Sequence, residues 1–290
     1  MKCPSWQIVA DAIRKVFCMK QSVHDDCFLK DKMQETFVKT IKVAANKFLS
    51  GEMRKYAIPC IDRISVRISE MKLKDGKEHI QPIQLEDVSY VCGTNDQLIV
   101  FILESPGKEE YTCKKVKGWP EPARGQTGRN INRYFVPLAE KSFKNWRIGL
   151  INPIQYSCSL GNMLPTTIKD RVFSDLFNDG IEDDFVDRLE LMCKCNEYII
   201  VNCCTSCNSS KIDDILRSKQ IPFLKMAHPS SPCFTKQCRE NAGFNCSSSC
   251  KIVLHIPREQ SYVTSEVMLS ADALEKAICN YSISKTKVLE

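Results

Sequence analysis

The chain has 290 residues, of which 43% are hydrophobic and 26% charged, a composition typical of globular proteins rather than disordered or fibrous ones. Its longest apolar run, residues 98–103, is far shorter than the roughly 20 residues that a membrane helix requires. No apolar stretch follows the amino terminus as in a signal peptide. We therefore expect a monomeric cytoplasmic protein that does not engage membranes. The net charge of +6 permits a polyanionic partner.

Positive charge is concentrated in the middle of the chain. Between Ser105 and Arg147 there are six Lys and four Arg against four Glu and no Asp. A run of this kind is either a solvated face or a surface that contacts phosphates. Composition alone leaves both interpretations open.

Cysteine is abundant, with 17 residues. Because the chain is long and we expect no signal peptide, free thiols in a reducing compartment fit better than a disulfide scaffold. Two groups are dense enough to hold a structural metal. The first lies between residues 193 and 207, and the second consists of Cys233, Cys238, Cys246 and Cys250. The spacing of the second group matches no zinc module, so we predict no cofactor while a structural zinc or iron–sulfur cluster stays an alternative.

The first predicted elements are helical. Apolar residues recur every three or four positions over residues 6–49, which is typical of amphipathic helix. A second helix or an irregular segment is expected through Ile68, and the polar residues 72–84 form a seam. We therefore predict a helical N-terminal extension over residues 1–89 and an α/β domain over residues 90–290.

The main domain alternates between short apolar runs and segments with helical spacing. The predicted strands cover residues 97–104, 147–154, 197–203 and 221–226. The predicted helices between them cover residues 130–141, 183–192 and 209–218. This alternation is typical of an α/β protein with parallel strands, which binds its ligands at the carboxyl ends of those strands.

Chemically useful side chains follow three of these predicted strands. Glu104 precedes a Pro-Gly turn, Asn152 follows the next strand, and His228 opens a Pro-Ser-Ser-Pro loop. Each residue could also have a purely structural role. Glu104 could simply neighbour the turn, Asn152 could be a cap, and His228 could be a structural histidine. A carboxylate on a strand end can also orient water or stabilise a cation, and an Asn amide can bind the edge of a base.

The order of these three residues along the chain resembles the motif order of the uracil-DNA glycosylase superfamily. The resemblance is greatest to the bacterial branches that carry G-E-x-P-G and H-P-S motifs. The corresponding segments are Leu103-Glu104-Ser105-Pro106-Gly107, Gly125-Gln126-Thr127-Gly128, Leu150-Ile151-Asn152-Pro153 and His228-Pro229-Ser230. The first departs from the family at Leu103, where the family usually has Gly. The resemblance spans residues 99–234. It implies a three-layer αβα sandwich with a central four-stranded parallel sheet, and hydrolysis of the bond between a base and its deoxyribose in DNA.

The resemblance also implies a role for each matching residue. Glu104 would face the sugar and the water, His228 would donate a hydrogen bond to the departing base anion, and Asn152 would bind the flipped base. Ser105 lies where some branches carry a residue that handles the water. The implied DNA contacts are Lys114, Lys115, Lys117, Arg124 and Arg129 on phosphates, and Ser230, Ser231, Cys233 and Phe234 in a loop that enters the groove.

One departure from the family concerns the size of the substrate. The family places a stacking Phe in Pro-Phe-Val-Gly, where this chain has Pro122-Ala123-Arg124-Gly125. Either Trp119 supplies the ring, or the pocket is enlarged for a bulkier base. The cysteines do not follow the family's iron–sulfur spacing, since Cys158 is displaced.

These observations predict a monofunctional DNA glycosylase that excises a noncanonical pyrimidine and leaves an abasic site. A bulky base, such as the glucosylated hydroxymethylcytosine of phage DNA, would place the enzyme in antiviral defence. The alternatives are a uracil-DNA glycosylase of base-excision DNA repair, a non-catalytic nucleic-acid-binding module of the same fold, and a metal-stabilised structural protein.

Overall fold

The computed structural model describes residues 6–21, 27–42, 53–71, 84–85, 97–112, 120–160, 164–194, 197–239, 251–258 and 261–280. Within these stretches no helix is both long enough and apolar enough to cross a membrane. The chain divides into two compact units. Unit 1 comprises Met1–Ile61, Ser105–Pro122 and Asn152–Phe185, and unit 2 comprises Asp62–Glu104, Ala123–Ile151 and Val186–Glu290.

Helices and strands alternate along most of the chain. The helices are α1 (Trp6–Gln21), α2 (Cys27–Lys42), α3 (Lys108–Thr112), α4 (Gln126–Asn130), α5 (Val136–Phe143), α6 (Thr166–Leu176), α7 (Glu182–Cys193), α8 (Ser206–Ser218), α9 (Pro232–Gln237) and α10 (Ala271–Glu275). The strands are β1 (Arg63–Arg67), β2 (Leu98–Ile102), β3 (Arg147–Ile151), β4 (Glu197–Asn202), β5 (Phe223–Lys225), β6 (Ile252–Arg258), β7 (Ser261–Val267) and β8 (Ile278–Asn280). A π-helical turn joins α4 to α5. The helices α6 and α7 are instead joined across a kink at Asp179 and Gly180, whose backbone angles are not helical.

Unit 2 contains a mixed sheet of eight strands in the order β1-β3-β2-β4-β5-β6-β7, with β8 paired to β4. The four central strands, β3, β2, β4 and β5, run parallel to one another. Ile102 at the end of β2 lies opposite Ile151 in β3 and Asn202 in β4. The carboxyl ends of these three strands therefore meet at one edge of the sheet.

The α/β class is confirmed, but the predicted sheet of four parallel strands is too small. All four predicted strands exist and pair in parallel, and four antiparallel strands extend them. β1 also occupies Arg63–Arg67, where the sequence predicts a helix or an irregular segment. The reason is that antiparallel strands need not be buried on both faces, so they lack the continuous apolar run that identifies a central parallel strand.

The central strands β2 and β3 show why such runs predict strands. Every residue of β2 is buried, as expected for a strand covered on both faces. In β3, a side chain at Gly149 would place its Cβ 2.8 Å from the Met192 sulfur and 3.2 Å from a methyl group of Val100. Gly149 thus permits close packing that any larger residue would disturb.

Aromatic rings fill the hydrophobic core of unit 2. Phe101 of β2 packs edge-on against Phe135, with 4.8 Å between ring centroids, and lies 6.5 Å from Phe234. Phe143 and Trp146 make a similar edge contact at 4.9 Å. The contacts of Phe101 hold α9 and the turn that precedes α5 against the strand that leads into Glu104.

Unit 1 contains the amphipathic helices α1 and α2, which confirms helix in the first part of the chain; residues 22–26 and 43–52 lie outside the described part. The apolar faces of the two helices pack together, and Phe17 and Phe37 are buried. Arg14 of α1 forms ion pairs with Asp175 at 2.6 Å and with Asp179 at 2.5 Å. These charges attach α1 to the end of α6 and to the turn that follows it.

The strand β7 lies at the end of the sheet path and is mostly exposed on both faces. It pairs with β6 along its whole length. Its one charged residue, Glu266, forms an ion pair with Lys251 at 2.6 Å.

Candidate active site

Glu104 lies two residues beyond the end of β2 and is 5% exposed. Both of its carboxylate oxygens accept hydrogen bonds from the β4–α8 region. The Thr205 hydroxyl donates to Oε2 at 2.8 Å, and the Asn208 amide donates to Oε1. Hydrogen bonds to a charged acceptor are stronger than neutral ones, so this pair holds the carboxylate in one orientation.

The position of Glu104 in the sheet is where α/β proteins commonly bind ligands. The chain leaves β2 towards β3 on one side, and it leaves β4 towards β5 on the other. Neighbouring strands whose connections diverge in this way create a crevice at their carboxyl ends. Glu104 follows the first of these strands, and its partners Thr205 and Asn208 follow the second.

A buried polar network shapes the start of this β4–α8 loop. The Asn202 amide donates to Asp213 Oδ1 at 2.8 Å, while its oxygen accepts the backbone N–H of Cys204 at 3.0 Å. Lys225 of β5 donates to the other Asp213 oxygen at 2.5 Å. The loop that carries Thr205 is therefore attached to α8 and to β5.

His228 follows β5 and is half-buried in unit 2. The backbone N–H of Ser230 donates to its Nδ1 at 3.3 Å, and the Ser230 hydroxyl lies 2.8 Å from the same nitrogen. Because a backbone N–H can only donate, Nδ1 is the acceptor, and the neutral ring carries its proton on Nε2. A proton on Nε2 makes that nitrogen a hydrogen-bond donor.

The loop after His228 is held from both ends. The Asn130 amide donates to the carbonyl of Pro229 at 2.6 Å. Gln237 of α9 accepts the N–H of Ala227 at 2.9 Å. The Ser231 hydroxyl caps α9 by accepting the N–H of Cys233 at 3.2 Å. The backbone around His228 is consequently well defined by side chains of unit 2.

The predicted groove-entering residues divide into two kinds. Ser230 is exposed and Cys233 is half-buried, whereas Phe234 is fully buried against Phe101. The Phe234 ring lies in the core in this structure, which differs from its predicted entry into the groove. Its apolar character instead anchors α9, and Ser231 serves as the helix cap.

Asn152 directly follows β3 along the chain and belongs to unit 1. It is 2% exposed, and its amide nitrogen lies 3.9 Å from the sulfur of Cys60. The backbone N–H of Cys60 donates to the carbonyl of Gln155 at 2.7 Å, which fixes the thiol beside the Asn152 segment. Ser105, predicted to lie near the base, is half-buried in the same unit.

Ala123 does not fit the open pocket that its small side chain suggests. It is 1% exposed and forms part of the unit 2 core. Its φ of +55° is in the left-handed region, which strains any residue that has a Cβ. The case for a bulky substrate from this residue thus loses its support, and Trp119 lies outside the described residues.

The predicted phosphate contacts are only partly described. Arg124 and Arg129 are half-buried, and Arg129 donates to the Gln126 side chain at 3.3 Å. The predicted contacts Lys114, Lys115 and Lys117 lie outside the described part of the chain.

The structure shows free thiols at Cys18, Cys193, Cys203, Cys238 and Cys279. No group of three or more metal-binding side chains occurs within the described stretches. Burial raises the pKa of Cys238 to about 12 and also raises the pKa of Cys203, so both retain their protons at neutral pH. Of the proposed zinc ligands, Cys233 and Cys238 are described, while Cys246 and Cys250 lie outside.

Comparison of the chain with models of known protein families, with curated proteins and with solved structures finds no match. The functional interpretation consequently depends on the residues themselves and on their placement in the sheet.

Several site residues escape prediction from the sequence. Thr205, Asn208 and Asp213 have no motif around them, and the first two contact Glu104 across about a hundred residues of chain. Asn202 carries one available signal, since it ends an apolar strand as Asn152 nearly does.

Proposed function

We propose that this protein is a monofunctional DNA glycosylase that hydrolytically excises a noncanonical pyrimidine and leaves an abasic site. The observation that carries the proposal is the position of Glu104 beside the diverging strands β2 and β4, together with His228 after β5 in the same sheet. The proposal further implies that the four parallel strands form the centre of a three-layer αβα domain.

The proposed chemistry assigns a distinct task to each residue. The target base must leave the DNA stack before its glycosidic bond is accessible. As that C–N bond breaks, positive charge develops on the sugar and is stabilised by the carboxylate of Glu104. The same carboxylate orients the water that forms the new C–O bond and accepts the proton that the water loses. Negative charge develops on the base, which accepts a hydrogen bond from Nε2 of His228. Asn152 binds the polar edge of the base through its amide.

The proposal leaves the size of the pyrimidine to experiment. Uracil and glucosylated hydroxymethylcytosine are the smallest and the largest of the candidate bases. Excision of uracil would serve the repair of deaminated DNA, and excision of glucosylated hydroxymethylcytosine would serve defence against modified phage DNA. The burial of Ala123 supports neither extreme, so both belong in the first assay.

The test is to incubate the purified protein with single- and double-stranded DNA that contains uracil, hydroxymethylcytosine or glucosylated hydroxymethylcytosine. Mass spectrometry identifies any released base, and alkaline cleavage locates the abasic site. We expect His228→Ala to lower turnover about 100-fold or more while DNA affinity changes little, because the lost hydrogen bond is strongest in the transition state. If no base is released from any of these substrates, the proposed glycosylase activity is refuted.

A second candidate is a non-catalytic module that binds modified DNA. The observation that favours it is the double hydrogen bonding of Glu104, which also suits a purely structural carboxylate. Tight binding to one modified DNA without any base release would identify this function.

A further inference from the structure

Tyr111, at the end of α3 in unit 1, has a buried hydroxyl with no hydrogen-bond partner among the described residues. The side chain is 3% exposed. Buried polar groups are nearly always hydrogen-bonded, because burial without a partner costs folding free energy. An unpaired hydroxyl in such a position calls for an explanation, and one explanation is a ligand that supplies the partner.

The surroundings hold this hydroxyl in place and keep it protonated. The Tyr111 ring packs edge-on against Tyr56, with centroids 4.9 Å apart at 72°. Burial raises the pKa of Tyr111 well above 10, and the electrostatic effects of Cys60 and Tyr156 add to the increase. The group is consequently a permanent donor near neutral pH, on a ring with a fixed orientation.

Cys60 relates Tyr111 to the residue that we propose binds the base. Its sulfur lies 3.9 Å from the Asn152 amide nitrogen. Cys60 also lies only four residues after Tyr56, whose ring packs against that of Tyr111. Asn152, Cys60, Tyr111 and Cys158 are all buried in unit 1. Among these side chains, a thiol bonds only weakly, so the amide and the phenol are the strong hydrogen-bonding groups.

We propose that the Tyr111 hydroxyl donates a hydrogen bond to a carbonyl oxygen of the extruded pyrimidine, and so acts with Asn152 as a determinant of base specificity. This inference rests on the proposed glycosylase function. A pyrimidine ring carries carbonyl oxygens that accept from a phenol, and its remaining polar edge suits the donor and acceptor of an amide. A base without an acceptor at that position would leave the buried hydroxyl unpaired and would be rejected.

The test compares Tyr111→Phe with a matched control, Tyr262→Phe. The Tyr262 hydroxyl donates to the carbonyls of Leu216 at 3.2 Å and Ile221 at 3.0 Å in unit 2. The control therefore removes a hydroxyl with structural partners, and we expect a lower melting temperature with unchanged kcat/KM. Tyr111→Phe should keep or raise the melting temperature, while kcat/KM for base release falls about tenfold or more.

A binding assay separates failure of this inference from failure of the proposed function. The probe is duplex DNA with one 2′-fluoro-2′-deoxyuridine, whose glycosidic bond resists hydrolysis, and the reference is the same duplex with thymidine. We expect Tyr111→Phe to weaken the preference for the probe. An active wild type with an equally active and equally selective Tyr111→Phe would overturn the inference alone, as would a lower melting temperature of that variant. A wild type that neither releases a base nor prefers any modified DNA would overturn both.

Discussion

Asn208 donates one of the two hydrogen bonds that orient the Glu104 carboxylate. We therefore expect replacement of Asn208 to alter catalysis through Glu104, although Asn208 itself is not proposed to contact the substrate. Asn208→Asp replaces a donor with a second carboxylate, so two like charges meet at a buried position. We expect base release to fall further in Asn208→Asp than in Asn208→Ala, and the melting temperature to fall with it. Single-turnover rates and thermal denaturation of both variants measure these effects.

The matched control for that charge is Ser210→Asp. Ser210 lies two residues further along α8 and is exposed. An acidic residue in the first turns of a helix is tolerated or slightly stabilising, so excision should stay at the wild-type rate. Equal rates for Asn208→Asp and Ser210→Asp would show that the hydrogen bond to Glu104 does not matter for turnover.

Single residues differ in how far the sequence identifies them. Glu104 and His228 are predictable because each stands between an apolar strand and a proline-containing turn. Their partners are not, since Thr205 and Asn208 lie in a polar stretch whose contacts depend on tertiary folding. The burial of Phe234 is equally hidden, because an aromatic residue in a loop-like stretch suits a core and a DNA wedge alike.

Among elements, the attachment of α8 to the sheet depends on Asp213. Its side chain is 4% exposed, and it accepts from both Asn202 and Lys225. Asp213→Ala would leave the buried Asn202 amide without its shortest partner. We expect a loss of about 2 kcal/mol in the free energy of unfolding, discounted because the Lys225 side chain is 37% exposed.

Urea denaturation measures this loss, and Asp214→Ala is its control. The neighbouring Asp214 is 74% exposed and pairs with Arg217 only at 3.4 Å. Exposed pairs of this kind contribute little, so the control should unfold like the wild type. A similar loss of unfolding free energy in both variants would mean that the buried network of Asp213 contributes no more to stability than the exposed ion pair of Asp214.

The pairing of β5 with β6 introduces an acid-sensitive position. His255 of β6 stacks on Phe223 with 4.2 Å between ring centroids, and neither ring nitrogen has a hydrogen-bond partner among the described residues. Burial lowers the pKa of His255 below 6.5, Asp213 opposes the shift, and Arg217 and Lys225 add to it. The folded state therefore favours the neutral ring.

The direction of the pH dependence follows from this shift. The contribution of neutral His255 to stability is fully present above pH 6.5, and it is lost as the pH falls below 6.5 towards the folded-state pKa. His255→Phe and His255→Leu remove this loss. Between about pH 5 and 8, the unfolding free energy of the wild type should therefore fall relative to that of both variants as the pH decreases. Parallel curves would exclude His255 as the source.

The elements also show what a single sequence reveals about a sheet. The four central strands are predictable because burial on both faces demands an unbroken apolar run, as in β2. β1 alternates buried and half-buried residues and begins and ends with arginine, so its sequence does not resemble a buried strand. The hairpin of β6 and β7 is concealed for the same reason, because β7 is largely exposed.

For the whole molecule, the positive charge predicts a salt-dependent affinity for DNA. Each phosphate contact adds about 0.9 to the slope of log affinity against log salt concentration on duplex DNA. Charge reversal at Lys115 and Arg129 should flatten this slope, as measured by fluorescence anisotropy over a range of salt concentrations. Reversal at Lys219, which pairs with Glu190 on the surface at 2.7 Å, is the control. An unchanged slope in the Lys115 and Arg129 variants would place the DNA on another face.

The exposed strand β7 has a consequence for the colloidal behaviour of the protein. A strand at the end of a sheet presents backbone groups on its outer side, and such an edge is a template for pairing between molecules. The segment Ser-Tyr-Val-Thr-Ser-Glu-Val contains branched and aromatic residues, no proline and one charge. Glu266 is thus the gatekeeper of this edge, and its replacement by an apolar residue would favour precipitation in concentrated solution well before it affected the fold.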